Sequence, residues 1–156
     1  MAKAIPQGYH SVTPYLIVKG AAKAIDFYKQ AFGATEIMRM PTPDGQIGHA
    51  EIKIGDSVVM LADEHPTMGY RSPQSLGGAG VSLMIYVDKV DEVFKRALSS
   101  SAKELQPLTD KFYGDRSGTL QDPFGHMWTV ATHVEDVAPE EMRHRAEKFM
   151  QQQANK

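Results

Sequence analysis

Two short stretches decide the fold: Val12-Thr13-Pro14-Tyr15-Leu16-Ile17-Val18 and, at a constant offset of 69, Val81-Ser82-Leu83-Met84-Ile85-Tyr86-Val87. Both are rich in β-branched and aromatic side chains, as half-buried strands are. Pro14 puts the first at a sheet edge or a strand start, because proline cannot donate to a ladder. The same offset continues past the strands and pairs Ala24 with Val93 and Ile25 with Phe94. An offset held through a strand and the segment after it is the mark of an internal duplication.

Working outward, Ala21, Ala24, Ile25, Tyr28 and Phe32 recur at helical spacing, and Gly33 is placed to stop that helix. Thr35 to Met40, Ile47 to Ile54 and Val58 to Ala62 read as strands separated by Pro43-Asp44-Gly45 and by Gly55-Asp56. Connections this short allow only an antiparallel meander, since a parallel crossover needs a dozen residues or so. The order then returns: a strand at Val81 to Val87, a helix at Val90 to Leu98, and strands at Leu105 to Leu108, Tyr113 to Leu120 and Met127 to Thr132. The expected fold class is α+β, with two βαβββ modules (11–64 and 80–134) joined by a loop (65–79) rich in Pro and Gly. Pro139-Glu140-Glu141 suits the first turn of a final helix, with 135–156 forming helix and tail. Its apolar side, Met142, Ala146, Phe149 and Met150, is expected to dock on the parent domain, with a dimer contact as the alternative.

The composition narrows the function. Over 156 residues, 17 Lys plus Arg face 19 Asp plus Glu, a net charge of −2, which lacks the basic surface that phosphate contacts with nucleic acid require. Hydrophobic residues make up 42%, enough for a folded core. With no cysteine, disulfides, thiolate nucleophiles and cysteine-held metals are excluded. No apolar run reaches the length of a signal peptide or a membrane span, so a soluble, cytoplasmic protein is expected. Phosphate-cradling, nucleophile-elbow, zinc-protease and calcium-loop motifs are all missing.

Strand alternation sorts the side chains by face. Thr13, Tyr15 and Ile17 share one face, and Ser82, Met84 and Tyr86 share its counterpart. Around Ala50, Ile52 and Ile54, the apolar face suited to the helix, His49, Glu51 and Lys53 alternate onto the inner face. Val59, Leu61 and Asp63, with Thr129, Ala131 and His133, are expected to continue the inner faces. Tyr15, Met84, Tyr86, Trp128 and Thr129 are candidate ligand contacts, with plain core filling as the alternative for each aromatic. His49 and Glu51 are candidate catalytic residues, because two ionisable groups on one inner face call for a partner and imidazole titrates near working pH. Asp122 is expected to tighten its turn through backbone N–H bonds. His126, in a turn, is expected to make local hydrogen bonds; His65 lies with Glu64, Tyr70 and Arg71 in the loop, read as a linker with closure over a ligand as the alternative; His10 and His144 receive no role.

The stretches PYLIV-x-G-AAKAIDFYKQAFGA (14–34), GHAEIKIGDSVVMLADE (48–64) and DPFGHMWTVATH (122–133) resemble the glyoxalase, bleomycin-resistance and extradiol-dioxygenase superfamily, and within it the PhnB-like branch. The resemblance implies sheets curled around a groove and a homodimer, with modules paired within a chain or exchanged between chains. It places Arg116 near the groove rim, as an anion anchor or as half of a salt bridge.

Metal-dependent members carry His on the first strand and Glu on the last strand of a module. Those positions fall here on Thr13, Ser82, Thr129 and, in module one, near Val59. Hydroxyls and an aliphatic chain are poor ligands, so no metal cofactor is expected. A divalent ion held by a displaced cluster of His49, Glu51, Asp63 and His133 is the alternative. The expected function is metal-free binding of a small aromatic or anionic molecule in the groove between the two modules. An enzyme of the lyase, isomerase or dioxygenase type is the other reading.

Overall fold

The computed structural model describes residues 1–156. Its elements run β1 (Tyr15–Val18), α1 (Ala21–Phe32), β2 (Thr35–Pro41), β3 (Ile47–Ile54), β4 (Ser57–Asp63), then α2 (Pro73–Leu76), β5 (Ser82–Tyr86), α3 (Val90–Ser99), β6 (Lys103–Asp110), β7 (Asp115–Gln121), β8 (Met127–His133) and α4 (Pro139–Ala154). The strands form two four-stranded sheets, ordered β1-β4-β3-β2 and β5-β8-β7-β6. In each, the first strand lies parallel to the last and the other pairs are antiparallel. The duplicated α+β architecture is therefore present as two curled mixed sheets. The loop between modules is more ordered than its composition suggests. It carries a 3₁₀ turn at Pro66–Met68 and the short α2, capped by the Ser72 side chain.

The helix of each module covers one face of its sheet, and the two helices also pack on each other. Ala50, Ile52 and Ile54 of β3 and Val59 and Leu61 of β4 lie under α1, while Leu120, Trp128 and Val130 lie on the α3 side, all in one buried cluster. An aromatic seam crosses between modules. Trp128 of β8 meets Phe32 and Tyr28 of α1 at ring-centroid distances of 4.9 and 5.4 Å. The Arg96 guanidinium of α3 donates to the Ala31 carbonyl at the end of α1 at 3.2 and 3.3 Å.

Helix α1 begins at Gly20, which has no side chain with which to cap it. Asp63, at the end of β4, takes that place: Oδ1 accepts from the N–H groups of Gly20 and Ala21 at 2.8 and 2.9 Å, and Oδ2 from Ile47 N–H at 2.8 Å. The long-range cap satisfies donors at the helix start that would otherwise be orphaned.

Helix α4 packs on module two through Phe149 against Phe112, centroids 5.2 Å apart, and through Arg145, which forks onto Glu135 at 2.8 Å and reaches the Phe112 carbonyl. It continues through the glutamines to Ala154. Its approach depends on Gly114 (φ +101°), whose carbonyl accepts from Val134 and Glu135 and where a Cβ would stand 2.1 Å from the Glu135 carbonyl oxygen. No helix is long and apolar enough to cross a membrane.

Candidate functional site

The faces turned away from the helices are open. On module one, register aligns Tyr15 with Met60, Met60 with Glu51, and Glu51 with Met38. Ile17 lies beside Ala62, and Met40 beside His49. On module two the corresponding row is Met84, Thr129, Thr119 and Gln106.

Across module one runs a continuous chain of hydrogen bonds. The Tyr15 hydroxyl contacts His49 Nδ1 at 2.7 Å, and His49 Nε2 contacts Glu51 Oε1 at 3.0 Å. The Tyr9 hydroxyl, from the segment preceding β1, closes on Glu51 Oε2. An ionised Glu51 only accepts, so His49 donates from Nε2 and accepts the Tyr15 hydroxyl at Nδ1. Glu51 is buried, and its carboxyl is held below the usual range, first by the Tyr9 hydroxyl and then by His49, against the opposing effect of burial. The Tyr15 phenol is pushed up, mainly by burial. Tyr15 and Ile17 then border a cavity of about 440 Å³, lined as well by Met68 and Tyr70 of the intermodule loop. That loop is pinned by Glu64, whose carboxylate accepts from Ser72 N–H at 2.6 Å and is held at a pKa of about 2 by the serines at 72 and 75.

Module two has its own cluster. Asp115 is buried and accepts from the Tyr86 hydroxyl at 2.9 Å and from His133 Nδ1 at 2.7 Å, while His133 Nε2 reaches Asp136 at 2.8 Å. Hydrogen bonds to Asp115 and then Asp136 raise the His133 pKa. Thr129 shares a hydrogen bond with Thr119 at 3.0 Å.

Tyr15, His49 and Glu51 thus converge on one open face, and Met84, Tyr86 and Thr129 on the other. Two expected ligand contacts do not reach either face. Trp128 is 1% exposed, lies in the core seam and donates Nε1–H to Asp122 at 2.8 Å. Arg116 alternates to the helix side of β7, where its guanidinium forks onto Asp91 at 2.7 and 2.9 Å and contacts Asp110 at 3.1 Å, so the salt-bridge alternative holds. The expected inner positions Val59 and Leu61 are likewise core residues. The two-residue turn Gly55-Asp56 pairs Ile54 with Ser57, which sets Val59 opposite Ile52 and Met60 opposite Glu51. Tyr9, Met38, Met40 and Met60 are not among the residues the sequence points to. Met60 follows from that turn register, whereas Tyr9 lies 42 residues from Glu51 with no local signal.

The family's metal ligands find no match. Met60, not Val59, occupies the module-one place equivalent to Thr129, so the four positions hold Thr13, Ser82, Met60 and Thr129. The displaced cluster does not assemble either. His49 and Glu51 bind each other, Asp63 caps α1, His133 is held in module two, and no three His, Asp or Glu side chains converge as a metal site would require. This donor set does not fit a divalent ion.

A family model described as the Glyoxalase/Bleomycin resistance protein/Dioxygenase superfamily matches residues 8–130. A Mycobacterium tuberculosis protein, "Uncharacterized protein Rv0887c", is 43% identical over 136 residues, 85% of this chain and 80% of that one. Among solved structures, protein PA1353 from Pseudomonas aeruginosa is 27% identical with a TM-score of 0.66, covering 81% of this chain and 99% of its own. TioX from Micromonospora sp. ML1 is 28% identical with a TM-score of 0.63, covering 80% and 99%. With motifs, module order and sheet topology in agreement, the chain belongs to the glyoxalase, bleomycin-resistance and dioxygenase superfamily.

Proposed function

We propose that the chain is a cytoplasmic, metal-free binding protein of the PhnB-like branch that holds a small aromatic molecule on the open face of module one. The observation that carries this reading is the engagement of both His49 ring nitrogens, by Tyr15 and by Glu51. A general base needs a nitrogen facing its substrate. Here the Tyr15 hydroxyl is the group presented to the cavity, and His49 and Glu51 orient it. Met68 and Tyr70 offer an adaptable thioether and a flat ring, and Met38, Met40 and Met60 give the rest of the face the same pliable character. With Arg116 held by two aspartates, the face favours a neutral aromatic over an anion.

A second reading, an acid–base enzyme, is supported by the order of the same chain. Swinging the Tyr15 side chain aside would free Nδ1 of an imidazole already oriented by Glu51, an arrangement used in general-base catalysis. We take the working unit to be a homodimer, because large apolar side chains stay exposed on both open faces, including Tyr15, Met40, Met84 and Tyr86.

The test is protein-observed NMR with a set of neutral aromatic fragments. Binders should shift the amides of Gly48, His49, Ala62 and Tyr70, and Tyr15→Phe should weaken them about fivefold, the cost of one neutral hydrogen bond of about 1 kcal/mol. Saturable binding elsewhere only, or none, overturns the reading. Turnover of a bound fragment that survives Tyr15→Phe and disappears in His49→Gln selects the enzyme.

A further inference from the structure

We infer that the cleft between the two sheets is a second binding site, for a small amphipathic monocarboxylate whose charge is met by Arg71 and the free backbone N–H groups of Ala79 and Gly80. Strands β1 and β5 are the outer strands of their sheets and each is paired on one side only. Between them lies a cavity of about 430 Å³ with apolar walls from Leu16, Ile17, Leu76, Val81 and Leu83. That volume is in the range of small-molecule pockets, about 300–1,000 Å³. Its floor is fixed by His126, whose Nε2 bonds the Ile17 carbonyl at 3.0 Å.

The charged group at this cleft has no carboxylate partner. Arg39, Arg116 and Arg145 each have carboxylate partners. Arg71 has none; its one bond is to the Ser75 carbonyl at 3.3 Å. A guanidinium beside an apolar wall offers paired N–H groups to a carboxylate. Ala79 and Gly80 also line the cleft, and no acceptor in the chain takes their N–H groups. A Cβ placed at Gly78 or Gly80 would meet nothing within 4 Å, so the backbone here stands clear for approach. With one guanidinium at the cleft, and with Glu64 bonded to Ser72 beside it, a single negative charge is matched better than two. The site is separate from the His49 face. Tyr15 and Ile17 border both cavities, but the charge-bearing end here belongs to the intermodule loop.

The test is titration of the ¹⁵N-labelled full chain with 2-naphthoate, with 2-naphthalenemethanol as the uncharged control. Naphthoate should shift the amides of Ala79, Gly80 and Val81 and bind about tenfold tighter than the alcohol, the effect of about 1.4 kcal/mol. Arg71→Gln, an exposed substitution, should remove that tenfold preference and leave alcohol binding unchanged. Equal affinity for the two compounds, an unaltered preference in Arg71→Gln, or no saturation below about 10 mM overturns the proposal. So do shifts confined to Gly48, His49 and Ala62, a result that would leave the aromatic site on module one standing.

Discussion

Asp122 shows how much one side chain can hold. Its buried carboxylate accepts from Phe124 and His126 N–H at 2.9 and 3.0 Å, from Trp128 Nε1–H at 2.8 Å and from the Tyr28 hydroxyl at 2.5 Å. Removing it strands buried donors, which costs more than the bonds are worth net. Asp122→Ala should lower stability by about 3 kcal/mol or more in urea unfolding, with Asp122→Asn milder because the amide keeps one acceptor oxygen. Trp128→Ala should cost about 4 kcal/mol, as loss of a large buried aromatic does. The backbone half of the Asp122 network was legible, since an Asp-Pro turn predicts it. The Tyr28 half was not, because Tyr28 lies 94 residues away and nothing local marks the pair. The same limit hid Tyr9 behind Glu51. Arg116 could be read either way until the register of β7 turned it toward α3.

At the scale of elements, position depends on contacts made at element ends. Asp63 caps α1 from another strand, so Asp63→Ala should cost about 1–2 kcal/mol, the range for a lost cap. Gly114→Ala should loosen α4, since its Cβ would collide with the Glu135 backbone at a positive φ. Limited proteolysis near residues 135–139 would report the release. His133 ties β8 to Asp136, just before α4, and faces Asp115, itself bonded to Tyr86. Because its folded pKa is raised, its contribution to stability is complete below about pH 6.5 and is lost as pH rises through the folded value. Denaturation midpoints compared at about pH 6 and pH 9 should fall more in wild type than in His133→Gln. Helix faces and strand order were legible because period 3.6 and period 2 are written in the apolar residues. The face of β4 was misplaced by one step, although the two-residue turn at Gly55-Asp56 would have fixed it.

On the scale of the whole molecule, the chain exposes two sheet faces and buries two helices together. Sedimentation velocity should therefore give a dimer at micromolar concentration, and charging the open face with Met84→Glu should shift it toward monomer. A monomer unaffected by Met84→Glu would remove the homodimer from the proposed function. The Tyr28–Asp122 bond and the Trp128 seam have one more consequence. Each half of the chain keeps part of its interior in the other, so neither half encloses a complete core by itself. A nick at Gly78 should yield two fragments that stay unstructured apart and regain the native circular dichroism only when mixed.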